Sequence, residues 1–203
     1  MSLAYKEPSP KVTHYTYADY LEWDEDFRAE IIGGRVFMMA PPLTVHQRVC
    51  GVLFNKIYNY LEGKPCEAFI APFGVRLYPE EDHSDDTVVE PDIVVVCDSS
   101  KVDERGYNGA PDLVIEVLSP STAQKDRLFK FRHYLKAGVR EYWIVDPDTA
   151  SVQVHVLDQG RFMTDAYGII DPEDELAKYT SDRAPVSVLP GLEIDLKTVF
   201  PPM

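Results

Sequence analysis

The stretch GAPDLVIEVLSPST, residues 109–122, decides how the rest of the chain is read. Leu113, Val114, Ile115 and Val117 are apolar and branched, as in a strand covered on both faces. Ser119-Pro120 ends the run, because proline cannot donate to a strand ladder. Glu116 stands inside this strand. An uncompensated buried carboxylate costs several kcal/mol, so something must hold its charge.

Working outward, EAFIAPFGVRLY (67–78) and VVEPDIVVV (88–96) read as two further strands, and REYWIVD (140–146) as another. A helix is expected from Ser121 to about Ala137, stopped by Gly138, and an earlier one from Thr44 to about Leu61, stopped by Gly63. AEIIGGRVFMMAPP (29–42) reads as a hairpin turning at Gly33-Gly34, and residues 151–167 as a second hairpin around DQG. Thr16 and Asp19 can cap a short helix running to Trp23. Residues 1–14 read as a loose leader and 15–203 as one domain. The order of elements from 44 to 146 predicts an α/β (α+β) fold: a mixed sheet flanked by helices, with extra hairpins near both ends.

The net charge is −14 over 203 residues and the sequence pI is about 4.7, which argues against general nucleic-acid affinity. The acids cluster in EWDEDFRAE (22–30), EEDHSDD (80–86) and DPEDE (171–175), while 125–140 is locally basic. No apolar run is long enough to span a bilayer, and the N-terminus has no secretory pattern. Cys50, Cys66 and Cys97, odd in number and without CxxC spacing, read as reduced thiols of a cytoplasmic protein.

Strand geometry narrows the partners of Glu116. Asp112 lies about 13 Å away along the same strand, too far to share an ion. Asp92, in EPDIVVV, can converge on Glu116 if its strand is a neighbour. Two such carboxylates need a cation to stay ionised together, and their hard oxygens suit Mg²⁺ or Mn²⁺ rather than zinc. The alternatives are that Glu116 forms a structural pair with Arg or Lys, and that Asp92 merely starts a strand after Pro91.

Pro91-Asp92, GAPDLVIEVLSPST and KDRLFKFRHYLKAGVREYWIVDP (125–147) together resemble the Uma-type family of restriction endonucleases, within the PD-(D/E)XK nuclease superfamily. The resemblance spans residues 15 to 160 and implies a restriction-endonuclease-like core. It implies that Asp92 and Glu116 are the metal-binding acids. The lysine expected two residues after the acid is replaced by Leu118, and the resemblance moves its role to Lys130 on the next helix. Periodicity alone puts Lys130 in solvent as a surface partner of Asp126, opposite an apolar face of Leu128, Phe131 and Leu135, while Ala123, Tyr134 and Ala137 flank it and leave that side open to packing as well. Glu30 matches an upstream acid that joins the metal site in some nucleases, or is a solvated strand acid. His46 reads as a capping or packing residue, and Arg76 and Tyr142 as structural.

No phosphate-binding loop, dinucleotide fingerprint, HExxH or GxSxG is present, and the five histidines show no zinc spacing among themselves. The expected activity is therefore Mg²⁺- or Mn²⁺-dependent hydrolysis of phosphodiester bonds in DNA, with Asp92, Glu116, Lys130 and Glu30 as catalytic residues. A catalytically silent binding module on the same fold is the rival. A retaining glycosidase is disfavoured, since no aromatic platform flanks either acid. The apolar segments of 151–167 suggest a homodimer.

Overall fold

Leu113–Val117 is a strand with all of its residues buried, and it lies inside a sheet. The computed structural model describes residues 14–24, 27–120, 123–171 and 173–200. The expected leader up to residue 13, and the expected helix start at Ser121, lie outside the described residues.

Helix α1 (Tyr17–Tyr20) starts where the Thr16 backbone N–H donates to the Asp19 carboxylate at 2.7 Å. Strands β1 (Ala29–Ile32) and β2 (Arg35–Met38) form the first hairpin. Gly33 and Gly34 turn it at φ +57° and +75°, a region open to glycine. Helix α2 spans Thr44–Leu61, the range that its apolar spacing predicts. The two strands expected next are each divided. Residues 67–78 give β3 (Glu67–Ile70) and β4 (Gly74–Arg76), with a cis Ala71-Pro72 bond between them. Residues 88–96 give β5 (Val88–Val89) and β6 (Ile93–Val96) on either side of Glu90-Pro91-Asp92. Each proline interrupts the ladder, and the chain crosses there from one sheet to another.

β7 (Val102–Asp103) and β8 (Gly106–Asn108) lead to β9, the Glu116 strand (Leu113–Val117). A π-helical turn, Lys125–Lys130, runs into helix α3 (Phe131–Ala137), ended by Gly138 at φ +87°. β10 (Glu141–Asp146), the hairpin β11 (Ser151–Asp158) and β12 (Arg161–Gly168), and the small pair β13 (Arg183–Pro185) and β14 (Glu193–Asp195) complete the strands.

One sheet runs β2-β1-β5-β4-β8-β7 and the other β12-β11-β10-β9-β6-β3. Each has one parallel pair, β4–β8 and β9–β10, so both are mixed and the fold is α+β. The faces of β9 alternate. Leu113, Ile115 and Val117 pack with Val49, Leu53 and Ile57 of α2 and with Ile194 and Leu196 near the C-terminus. Val114 turns the other way, into a layer with Val75 and Val89 of the first sheet and Tyr134 of α3. Each such side chain contributes roughly 1.5–3 kcal/mol by burial. Glu116 shares the parity of Val114 and so points into the layer between the two sheets.

The cysteine reading is corrected. Cys66 and Cys97 form a disulfide, with Cα atoms 4.0 Å apart, and Cys50 is a buried free thiol. The cause is register: β3 pairs antiparallel with β6, Glu67 opposite Val96, and the next step outward sets Cys66 opposite Cys97. Among the described residues no helix is long and apolar enough to cross a membrane.

Candidate active site

β6 and β9 are antiparallel neighbours with Ile93 opposite Ile115, so one further step sets Asp92 opposite Glu116. Both acids line a cleft of ≈ 420 Å³, together with His46, Glu90, Lys125 and Lys130. The interruption at Pro91 leaves Asp92 at the mouth of the sheet, where its Oδ2 accepts the Val117 N–H at 2.7 Å. The same oxygen lies 3.2 Å from His46 Nε2. Asp112 is elsewhere, holding the Cys97 N–H at 2.8 Å and Arg140 at 2.8 Å.

Lys130 holds the charge of Glu116. Its Nζ lies 2.7 Å from Glu116 Oε1 and 2.6 Å from Glu30 Oε1. Tyr134 adds a hydroxyl donor to Glu116 Oε1 at 2.7 Å. The periodicity reading of this helix is therefore overturned: Lys130 is 2% exposed and Leu128 is 49% exposed. The face that turns inward carries Asp126, Lys130 and Tyr134, spaced i, i+4 and i+8, and its first turn is π-helical. The Phe131 N–H donates to the Asp126 carbonyl, five residues back, which inserts one residue into the turn. Asp126 lies inward with Lys130, 1% exposed, so the pair at 3.7 Å is buried rather than on the surface.

Glu30 is fully buried on β1, which excludes the solvated-acid reading. Its carboxylate also pairs with Lys125 and accepts the Glu90 N–H at 2.9 Å. His46 joins the cleft through Asp92 instead of only packing, and its Nδ1 lies 3.5 Å from Cys50 Sγ. Arg76 stays outside, bound to Asp85 and Asn108, and Tyr142 donates to the Asp126 carbonyl at 3.1 Å. Sequence reasoning missed Glu90, Lys125 and Cys50 as site residues, and placed Tyr134 only beside Lys130. Glu90 adjoins Pro91 and pairs with Arg28 at 2.6 Å, and Lys125 opens the basic block, but only the packing brings them together.

A family model described as "Uma2: Putative restriction endonuclease" matches residues 17–196. The chain belongs to the Uma2 family. It is 28% identical over 160 residues to "Uncharacterized protein slr1290" of Synechocystis sp. (strain ATCC 27184 / PCC 6803 / Kazusa), covering 77% of this chain and 80% of that protein. It is also similar to the crystal structure of "a putative nuclease belonging to DUF820" from Anabaena variabilis ATCC 29413. There the TM-score is 0.69 at 24% identity, over 92% of this chain and 97% of the other, so the likeness speaks for the fold. The restriction-endonuclease-like architecture of this Uma2 chain thus stands on its topology and on that match together.

The Uma2 cleft is over-supplied with acid. Glu30, Glu90, Asp92, Glu116 and Asp126 face Arg28, Lys125 and Lys130, a formal excess of two acids before His46 is counted, which protonation of Glu116 would reduce to one. Burial works against ionising Glu30, but Lys130 and Lys125 outweigh it and hold its carboxyl below the usual range. Burial pushes Glu116 well above that range, and Asp126, Asp92 and Glu30 add to the push against Lys130. Lys130, although buried, is held firmly cationic by Glu116, Glu30 and Asp126. For His46, burial is outweighed by Asp92, and the imidazole is raised. A divalent cation would match both the charge excess and the hard oxygens of Asp92 and Glu116.

Proposed function

We propose that this Uma2 protein is a metal-dependent endonuclease that hydrolyses phosphodiester bonds in DNA. The observation that carries the reading is the convergence of Asp92 and Glu116, from neighbouring strands, on one cleft that also holds Lys130. Asp92 and Glu116 would hold Mg²⁺ or Mn²⁺, with Glu30 acting through its bonds to both lysines. The cation supplies charge neutralisation and polarisation of the phosphate when bound. Lys130, anchored by Glu116 and Glu30, meets the negative charge that develops on the phosphate oxygens, and Lys125 adds a second cation at the cleft. Asp92 is oriented by the Val117 amide and by His46, so it needs little reorganisation to bind.

The test is cleavage of supercoiled plasmid in Mn²⁺ or Mg²⁺ by the wild type, Asp92→Ala and Glu116→Gln. The expected result is metal-dependent nicking lost in both variants, with circular dichroism unchanged. Equal nicking by all three would place the chemistry elsewhere. A silent binding module has one observation in its favour: Lys130 already neutralises Glu116 and Glu30 internally, much as a cation would. Calorimetric titration with Mn²⁺ separates the readings, since a silent module gives no heat that depends on Asp92.

A further inference from the structure

His46 and Cys50 stand four residues apart on α2, so their side chains share one helix face. That face meets Asp92, which arrives from the sheet. One ligand atom from each of the three lies within 4.8 Å of the others. His46 and Cys50 are buried, and 18% of the Asp92 side chain is exposed, toward the cleft. We propose that His46, Cys50 and Asp92 form a site for a thiophilic divalent cation of the zinc class, separate in ligand chemistry from the hard-oxygen site but sharing Asp92 with it.

The chemistry is that of an imidazole, a thiolate and one carboxylate oxygen, leaving a fourth position open to the cleft. In tetrahedral zinc sites with the usual bond lengths, ligand atoms are about 3.3–3.8 Å apart. The observed contacts of 3.2 Å from Nε2 to Asp92 and 3.5 Å from Nδ1 to Cys50 are close to that spacing. An ion takes one ring nitrogen, so binding requires a small rotation that gives up one of the two contacts. Asp92 Oδ2 is already steered by the Val117 amide, which fixes the carboxylate. The proton balance is simple: the metal replaces the thiol proton of Cys50, and any imidazolium proton of His46, and both leave to solvent. Because Asp92 serves both sites, a soft ion seated here opposes loading of the hard cation and blocks cleavage.

Co²⁺, added to the metal-free full chain under a non-thiol reductant-free atmosphere without oxygen, is the probe. The expected signal is a thiolate-to-cobalt charge-transfer band in the near ultraviolet that saturates at one equivalent and is erased by Zn²⁺. Cys50→Ser should lose the band, and His46→Ala, which removes a direct ligand, should weaken cobalt affinity by more than the roughly 10–100-fold that losing an outer-shell partner costs. The Cys66→Ser/Cys97→Ser double variant should keep it. X-ray absorption of the zinc-loaded wild type, which needs no variant to fold, should show one sulfur in the ligand shell. Absence of the band at stoichiometric cobalt, a sulfur-free zinc shell, or a band that survives Cys50→Ser would overturn the proposal. Glu116→Gln should keep the band while losing nicking, so the two sites fail independently. If the wild type never nicks DNA but gives the band, this site stands and the nuclease reading falls.

Discussion

Lys130 is a buried counterion that also lines the cleft. It is the partner that the buried charge of Glu116 demands, and it occupies a place from which it reaches the cleft. Lys130→Met keeps much of the volume but leaves Glu30 and Glu116 as buried acids without their shared cation. We expect a loss of about 3–5 kcal/mol in urea unfolding at neutral pH. Protonating the orphaned acids relieves the repulsion, so the loss should be smaller at pH 5 than at pH 8. Lys136→Met, on the exposed face of α3, should change stability by less than about 0.5 kcal/mol. Equal effects of the two would contradict the buried cluster. His155 gives a second prediction at this scale. It packs among Phe131, Tyr142 and Phe162, its Nδ1 is 2.7 Å from Thr164 Oγ1, and burial lowers its pKa to about 4. Between that value and the usual 6.5 the unfolded chain binds more protons, so stability falls as pH drops through this window. The share due to His155 is about 1–2 kcal/mol after allowing for solvent screening. His155→Phe should flatten the melting temperature against pH from 6.5 to 4, and an unchanged slope would assign the acid sensitivity to the carboxylates.

At the scale of elements, the helix face carrying Asp126, Lys130 and Tyr134 covers the site, and its first turn is π-helical. Residues 125–137 carry an apolar pattern that reads as one regular α-helix, and on that pattern Lys130 faces water. The extra residue in Lys125–Lys130 lets Lys125 and Lys130 reach Glu30 together while Leu128 and Phe129 point outward. Deleting Leu128 removes the inserted residue and should restore an α-helical turn. One lysine would then rotate away from Glu30, costing about 3–5 kcal/mol by breaking a buried pair. Leu128→Ala, at a half-exposed position, is the control and should cost less than 1 kcal/mol or so. A deletion as mild as the alanine variant would show that the turn is incidental. The prolines at 72 and 91 act in the same way on strands, because each converts one apolar run into two short strands in different sheets. The second break ends the strand at Ile93, and Asp92, whose carbonyl still accepts the Ala71 N–H, turns its carboxylate toward the cleft opposite Glu116.

For the molecule as a whole, the two sheets and α3 enclose the acid-rich layer, and the disulfide ties the outer strand β3 to β6, which carries the chain out of Asp92. The bridge closes a loop with a sequence separation of 31, which corresponds to about 3–4 kcal/mol of lost unfolded-state entropy. We expect reduction by a phosphine to lower the melting temperature of the wild type, and to leave that of Cys66→Ser/Cys97→Ser unchanged. Mass spectrometry of the alkylated chain should count one free thiol before reduction and three after it. Three free thiols in the untreated protein would restore the reduced-thiol reading. With a net charge of −14, the proposed reading requires a bound cation before a polyanionic substrate can approach the acid-rich cleft.

Local pattern by itself determined the helix at 44–61, the two hairpins, the buried strand around Glu116 and the need for a partner to its charge. These follow from period, turn residues and the cost of burying a carboxylate, all of which act over a few residues. It also singled out Asp92, since an acid after Pro91 beside an apolar run can face a neighbouring strand. Only the tertiary structure decided that Glu30 is buried, that Cys66 meets Cys97, and that His46 and Cys50 converge on Asp92. Strand register makes these contacts between residues far apart in the chain, and no local period encodes it. The inward place of Lys130 belongs with them: one helix offers an apolar face at Leu128 and a polar face at Asp126, Lys130 and Tyr134, and only packing against the buried acids decides which is covered.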